Sequence, residues 1–191
     1  MARCQVLNGI NPELRSNGVE EKTDELVKVL VELPDHWLWK SESMWARSLG
    51  NDLYELGNSP FCAYGLNYKD VVFAIAQPAT GKPRICRLVR TAGHRTLRFR
   101  FSDNVNRSER DAFLAQLTRL GTSFEGHEYR FFSLDIPPGV DYQPICDQLF
   151  AWESERFLEY ETCEERVPGS FDDAPEDKAH GVDSRRMTTV K

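Results

Sequence analysis

Hydrophobic and polar residues alternate from residue 26 onward, and this alternation predicts strands. Over 26–33, Val27, Val29, Val31 and Leu33 fall on one face, the pattern of a half-buried strand. Two apolar runs flank Gly50-Asn51, a dipeptide typical of a tight hairpin turn. The pattern therefore predicts strands over 26–33, 43–49, 52–56, 70–76, 84–90 and Arg95–Phe101.

After Asp103 the apolar period becomes helical. Phe113, Leu117 and Leu120 recur at helical spacing behind a capping box that begins at Ser108. Gly121 stands where a left-handed helix end is expected. We predict a short strand near Ser123, a turn at Gly126-His127 and a strand over 129–134. A second helix follows, capped by Asp141 and buried through Ile145, Leu149 and Trp152, and a strand over 157–162 closes the fold.

The order of these elements predicts an α+β protein. From Arg95 onward it is β-α-β-β-α-β, the order of a ferredoxin-like sandwich, and the earlier short strands suit a small β-barrel-like antiparallel sheet. We divide the chain into a flexible leader (1–23), a barrel-like subdomain (24–92), a ferredoxin-like subdomain (93–165) and a disordered tail (166–191), whose composition is charged and rich in Pro and Gly.

Composition narrows the function classes. The net charge of -6 argues against nucleic-acid binding or docking to an anionic membrane as a property of the whole chain. We see neither a signal peptide nor a membrane span, and the five Cys are scattered without a C-x-x-C pair. These features predict a cytoplasmic protein with free thiols; the sequence leaves its oligomeric state open.

Several short motifs agree in order and spacing with one family. The chain resembles the bacterial domain of unknown function 4265 family over about 26–165, through Asn58-Ser59-Pro60-Phe61, Ala63-Tyr64-Gly65-Leu66, Asp70-Val71-Val72, Gly93-His94, Thr96-Leu97-Arg98, Pro137-Pro138, Asp141-Tyr142 and Glu159-Tyr160-Glu161. Lys69 stands where the family usually has Gly. The resemblance implies no established activity, but it fits small bacterial proteins encoded near toxins, many of which act as immunity proteins.

The charges are divided along the chain. Residues 84–110 hold eight Arg against two acids, and residues 141–165 hold eight acids against one Arg. Two explanations stay open: separate surfaces for an anionic and a cationic partner, or mutual neutralisation across neighbouring strands.

The leading hypothesis is a non-enzymatic immunity protein that occludes the active site of a cognate toxin or effector domain. Its acidic end would contact the partner through Trp152, Glu153, Glu155, Phe157, Glu159, Tyr160 and Glu161. The alternative is a small-molecule or nucleotide sensor that uses the Arg84–Arg100 surface, with Arg87, His94, Arg98 and Arg100 as anion-binding residues.

Catalytic, metal and cofactor sites are not expected. Cys62, Asp70 and His94 would suit a Cys-His hydrolase, but nothing in the sequence brings them together. The four His lack the spacing of metal ligands. The chain also holds a cluster of aromatic residues. We interpret it mainly as core and otherwise as an interaction surface; its members are Trp37, Trp39, Trp45, Tyr54, Phe61, Tyr64 and Tyr68.

Overall fold

A computed structural model describes residues 25–78, 81–127 and 130–174. The predicted leader lies outside the described residues, as does the predicted tail from residue 175 onward. Within the described ranges, neither helix has the length and apolar character needed to cross a membrane.

The first half of the chain forms a closed five-stranded barrel. Its strands are β1 (Leu26–Glu32), β2 (Ser41–Gly50), β3 (Leu53–Leu56), β4 (Val71–Ala76) and β5 (Pro83–Arg90). Neighbours pair antiparallel, and the barrel closes where Leu30 of β1 meets Arg84 of β5 in parallel. The predicted hairpin is confirmed, because Gly50, Asn51 and Asp52 all have positive φ between β2 and β3. The interior is filled by buried residues that include Val29, Met44, Ala46, Leu56 and Val72.

The second half forms a four-stranded antiparallel sheet with two helices. Its elements are β6 (Arg95–Phe101), α1 (Arg107–Arg119), β7 (Ser123–His127), β8 (Phe131–Ile136), α2 (Tyr142–Ser154) and β9 (Leu158–Thr162). The strand order is β7-β8-β6-β9. Alternate residues of β6 and β8 face the helices and share one core with them, including Leu97, Phe99, Leu134, Leu117, Ile145, Leu149 and Trp152. The α+β class is thus confirmed.

The N-terminus of α2 lies where the sequence predicts it, and that of α1 does not. Asp141 caps α2 as predicted, and its carboxylate accepts from the Gln143 N–H. The start of α1 was predicted two residues late: the N-cap is Asn106, whose side chain accepts from the Glu109 N–H while the Glu109 carboxylate accepts from the Asn106 N–H. The capping box therefore lies two residues upstream of the one predicted at Ser108, and Glu109 supplies its carboxylate.

The barrel and the sheet meet through polar groups. The face of the sheet opposite the helices carries Arg98 and Ser133, which donate to main-chain carbonyls of the segment that joins β3 to β4. Arg98 Nη1 lies 2.8 Å from the Phe61 O atom, and Ser133 Oγ lies 2.8 Å from the Pro60 O atom. Alternation along β6 puts Arg98 and Arg100 on the same face. Arg98 is buried between the two halves of the chain, whereas Arg100 stays more than half exposed.

The described beginning of the predicted tail, residues 166–174, is hydrogen-bonded to the fold. The Phe171 N–H donates to the Glu161 carboxylate, and the Asp172 O atom accepts from the Trp37 N–H at 3.0 Å. Ser170 and Asp172 are buried. This segment joins β9 to the loop between β1 and β2 and completes one wall of the site described next.

Candidate functional site: an aromatic cleft between the barrel and the sheet

An open cleft lies where the barrel, the sheet and the C-terminal segment meet. It consists of two adjoining depressions of about 220 and 300 Å³. Both are lined by Trp39, Phe61, Cys62, His127 and Phe131. Four separate parts of the chain supply these residues: the β1–β2 loop, the β3–β4 segment, the end of β7 and the start of β8.

Tilted aromatic rings form the floor of the cleft. The Phe61 ring centroid lies 5.8 Å from that of Phe131 and 5.9 Å from that of His127. Phe131 also contacts Phe171 of the C-terminal segment edge-on, at 5.8 Å. Such edge and tilted contacts are the preferred geometry of aromatic pairs, so the floor is a packed and preformed surface.

The rim of the cleft is the β1–β2 loop, and its apolar side chains are exposed. Trp37, Leu38 and Trp39 are 36%, 51% and 51% exposed. Trp45 is also exposed, at 46%, but it lies outside the cleft beneath the ammonium group of Lys28. The interpretation of these three Trp as core residues is wrong: their side chains are exposed, and the barrel interior is filled by smaller apolar residues.

His36 holds the rim in place. Its Nδ1 atom accepts from the main-chain N–H groups of Leu38 and Trp39, both at 3.1 Å. A nitrogen that accepts two hydrogen bonds carries no proton, so the imidazole is neutral in this geometry. Burial lowers the pKa of His36, and the nearby positive charge of Arg98 lowers it further. The exposed tryptophans are thus presented by a fixed loop.

Glu42 holds the floor in place. Its carboxylate accepts from three consecutive main-chain N–H groups, those of Phe61, Cys62 and Ala63, at 2.7 to 2.9 Å. This arrangement resembles the anion-binding nests that successive N–H groups form. Burial, followed by the charge of Glu42, raises the pKa of the Cys62 thiol to about 12. The thiol is therefore protonated and unsuited to attack as a nucleophile.

The Cys-His hydrolase arrangement is not formed. His94 Nδ1 lies 2.8 Å from Asp135 Oδ1, and the His94 ring meets Tyr68 edge-on. Asp70 is fully buried and accepts from the main-chain N–H groups of Ala92 and Asn67. Cys62 instead lies in the cleft beside Glu42. Within the described ranges, His, Cys, Asp and Glu form no group of three or more that could hold a metal ion.

The two charged segments neutralise each other across β6 and β9. Arg98 and Arg100 lie directly opposite Glu161 and Glu159 in the ladder, with N–O distances of 2.6 and 2.7 Å. Arg95, the first residue of β6, pairs with Glu164, which lies just beyond the end of β9. Of the two explanations left open by the sequence, cross-strand neutralisation accounts for these six residues.

Most of the residues predicted to contact a partner at the acidic end instead make contacts within the fold. Trp152 is buried in the core, and Phe157 and Tyr160 pack against it. The Glu153 carboxylate accepts from the Tyr160 N–H, and Glu159 and Glu161 are paired with Arg. Glu155 is exposed at the end of α2. A partner contact at this end stays a prediction.

The four predicted anion-binding residues each have a separate partner. Arg87 lies over the Phe73 ring on the barrel, and His94 bonds Asp135. Arg98 is completely buried beneath Tyr64, with its guanidinium 4.2 Å from that ring's centroid. Arg100 pairs with Glu159 and borders the cleft. The structure does not gather them at one anion site.

Fold and site together define the class: an α+β protein of a closed barrel and a four-stranded sheet, with an open aromatic cleft at their junction. The chain belongs to the family described as Domain of unknown function (DUF4265), whose model matches residues 42–160. Its fold is similar to that of a hypothetical protein from Neisseria gonorrhoeae, with a TM-score of 0.62 and 15% identity over 73% of this chain and 94% of that one. No curated protein matches the chain.

Proposed function

We propose that this is a non-enzymatic binding protein of the cytoplasm that contacts a protein partner through the aromatic cleft. The observation that carries the proposal is the exposure of Trp37, Leu38 and Trp39 on a loop held by His36. Large apolar side chains that a fold fixes in an exposed position mark interaction sites, and Trp is enriched among the residues that dominate binding energy. A preformed surface also loses little conformational entropy on binding.

A protein partner suits this cleft better than a small ligand does. Ligand pockets enclose most of their ligand's surface, whereas the two depressions here lie open side by side. The rim tryptophans project from this open surface and can insert into a partner. The raised pKa of Cys62 and the pairing of His94 with Asp135 also favour binding over catalysis.

Inhibition by occlusion is the mode of action we propose, with the partner a toxin or effector domain and the protein its immunity factor. The likeness to a broad class of small bacterial proteins encoded near toxins motivates this choice, and the acidic net charge would speed encounter with a basic partner. For the second sheet we propose a ferredoxin-like sandwich, a type supported by the strand order β7-β8-β6-β9 with both helices on one face.

Co-expression tests the proposed function. Cells that produce the proposed toxin partner are expected to survive when the full chain is present, and an inactivated form of that toxin is expected to co-purify with it. A chain carrying Trp39→Ala should protect less, whereas Trp45→Ala, which changes a similarly exposed tryptophan outside the cleft, should protect normally. Lack of protection and of co-purification with the unchanged chain would end the proposal.

A further inference from the structure

The strand β7 forms one edge of the second sheet, and its five residues are all exposed. It pairs with β8 on one side. Edge strands carry unpaired main-chain donors and acceptors on their free side, and partner proteins can use them to add a strand. His127, the last residue of β7, lines the aromatic cleft, so this edge leads directly into the cleft.

The hydrogen-bond pattern identifies which residues of β7 present free main-chain groups. The Phe101 N–H donates to the Arg130 O atom, so even-numbered residues of β8 point their main-chain groups toward β6. The odd-numbered residues of β8 then point toward β7, where they oppose Ser123, Glu125 and His127. Phe124 and Gly126 therefore direct their N–H and C=O groups away from the sheet. These groups make no hydrogen bond within the described residues.

The side chains of β7 divide between the two faces of the sheet. Phe124 and Gly126 lie opposite Leu134 and Phe132 on the helix side, and the Phe124 ring contacts that of Phe132 at 5.9 Å. Glu125 lies on the barrel side, where its Oε1 atom accepts from the Ser59 N–H at 3.0 Å. Its Oε2 atom has no hydrogen-bond partner in the part of the chain that the structure describes. An added strand would meet an apolar surface on one face and a carboxylate on the other.

The charges around Glu125 favour a basic strand over a second copy of this chain at the β7 edge. The carboxylates of Asp135 and Glu42 lie near Glu125, so the barrel side of the edge is rich in acidic groups. Burial raises the pKa of Glu125, the Ser59 N–H lowers it, and the two neighbouring charges raise it. A second copy paired antiparallel through Phe124 and Gly126 would place one Glu125 opposite the other, and like charges directly opposite each other are destabilising. A strand with Lys or Arg opposite Glu125 would instead form a cross-strand ion pair.

We propose that the partner adds an extended segment to β7, antiparallel or parallel, with apolar side chains against Phe124 and a basic side chain opposite Glu125. This inference rests on the proposed binding function and names the element of the partner that the site accepts. It also fits a basic partner that meets an acidic chain. The segment would continue past His127 toward Phe131 and the rim tryptophans.

Two synthetic seven-residue peptides test this proposal on the full chain, one of alternating valine and lysine and one of alternating valine and glutamate. Titration of the lysine peptide is expected to shift the NMR amide signals of Phe124 and Gly126 and to slow their hydrogen exchange at least tenfold. The glutamate peptide should do neither. Glu125→Gln keeps the acceptor for Ser59 and should weaken binding of the lysine peptide several-fold.

The matched variants are Phe124→Pro and Phe124→Val. Both substitutions remove the ring, and proline alone also removes the outward N–H, which bonds nothing in the described residues. Edge strands tolerate proline, and valine keeps the donor. We expect Phe124→Pro to lose the shifts and Phe124→Val to keep them. The proposal is overturned if the lysine peptide leaves both amides unchanged, if both peptides act equally, if Phe124→Pro binds like Phe124→Val, or if concentration-dependent protection of these amides in the free protein reveals pairing with a second copy. Toxin protection that persists in Phe124→Pro would overturn this inference alone and leave the proposed function standing.

Discussion

Arg98 on β6 and Glu161 on β9 lie directly opposite each other, with Nη2 and Oε1 2.6 Å apart, and Arg98 is completely buried. Glu161 also accepts from the Tyr64 hydroxyl and from the Phe171 N–H. The pair therefore links the sheet to the barrel and to the C-terminal segment, the three parts that enclose the cleft. It is the position at which a single change should disturb the site most.

Glu161→Ala should destabilise the protein by about 3–5 kcal/mol, because it leaves a buried guanidinium without its counter-charge. Glu159→Ala is the matched control: it breaks the Arg100 pair two residues away on the same strands, where both side chains are more than half exposed, and should cost at most about 1 kcal/mol. Urea denaturation measures both free energies of unfolding. Equal losses in the two variants would contradict this role for the Arg98 pair.

Glu42→Ala should loosen the floor of the cleft, since three main-chain N–H groups lose their acceptor. We expect a loss of about 1.5–3 kcal/mol in the free energy of unfolding, the range for hydrogen bonds to a charged group. The Cys62 thiol, with a pKa raised to about 12, should alkylate slowly at pH 8 in the unchanged protein and faster in the variant.

Mass spectrometry of iodoacetamide-treated protein follows that reaction at Cys62 alone. Glu32→Ala, which removes an exposed partner of Arg84 on the neighbouring strand, serves as the control and should leave the rate unchanged. A Cys62 rate that does not respond to Glu42→Ala would show that the carboxylate does not hold this loop.

The stability of the rim should depend on pH through His36. Its pKa is lowered in the folded state, so the folded protein binds fewer protons than the unfolded chain just below pH 6.5. The contribution of His36 is therefore complete above about pH 6.5 and is lost as the pH falls toward the lowered pKa. Asp172 Oδ1 lies 3.7 Å from His36 Nε2, and burial raises the pKa of Asp172. Its contribution to stability therefore changes with pH in the opposite direction to that of His36.

The variant His36→Asn distinguishes the pH effect of His36 from that of Asp172, because the amide oxygen can still accept hydrogen bonds from the loop but the amide does not titrate. Between pH 7 and pH 5 the unchanged protein should lose stability relative to His36→Asn, by about 1.4 kcal/mol for each unit by which the pKa is lowered. Thermal unfolding at several pH values measures the difference. If the stability of the two proteins changed with pH in the same way, His36 would not be the neutral hydrogen-bond acceptor described here.

Gly126→Ala should destabilise the edge of the sheet by about 1–3 kcal/mol, because the new Cβ would stand 2.9 Å from the Phe132 ring. That ring is stacked on Phe99 and cannot withdraw easily. Gly57→Ala is the control, since its Cβ would meet neighbouring atoms only at 3.4 Å or more. A Gly126→Ala variant as stable as Gly57→Ala would mean that the sheet relaxes around the added methyl group.

The strands and the buried stripe of α2 were predictable because their signals are local. Alternation located β6 over Arg95–Phe101, and helical spacing identified Ile145, Leu149 and Trp152 as the buried residues of α2. Burial of Arg98 was not predictable in this way. Alternation put it on the polar face of the strand, but only the packing of the barrel onto that face removes it from water.

The cleft could not be predicted because its residues come from distant parts of the chain. Phe131 looks like an ordinary strand residue, His127 falls in a predicted turn, and Phe171 falls in a segment whose composition indicates disorder. The aromatic run around Trp37 and Trp39 was the one available signal. It was assigned mainly to the core, since sequence gives the abundance of aromatic residues and not the width of the barrel that must hold them.

The affinity of the proposed toxin partner for two tryptophan variants tests the central claim most directly. Calorimetric titration of the inactivated toxin into Trp39→Ala should show a loss of at least tenfold, since residues that anchor an interface typically contribute about 1.4 kcal/mol or more. Trp45 is similarly exposed but lies outside the cleft, so Trp45→Ala should bind within about twofold of the unchanged protein, a difference well under 1 kcal/mol. Unchanged affinity in Trp39→Ala, or an equal loss in both variants, would contradict the assignment of the cleft as the partner-binding site.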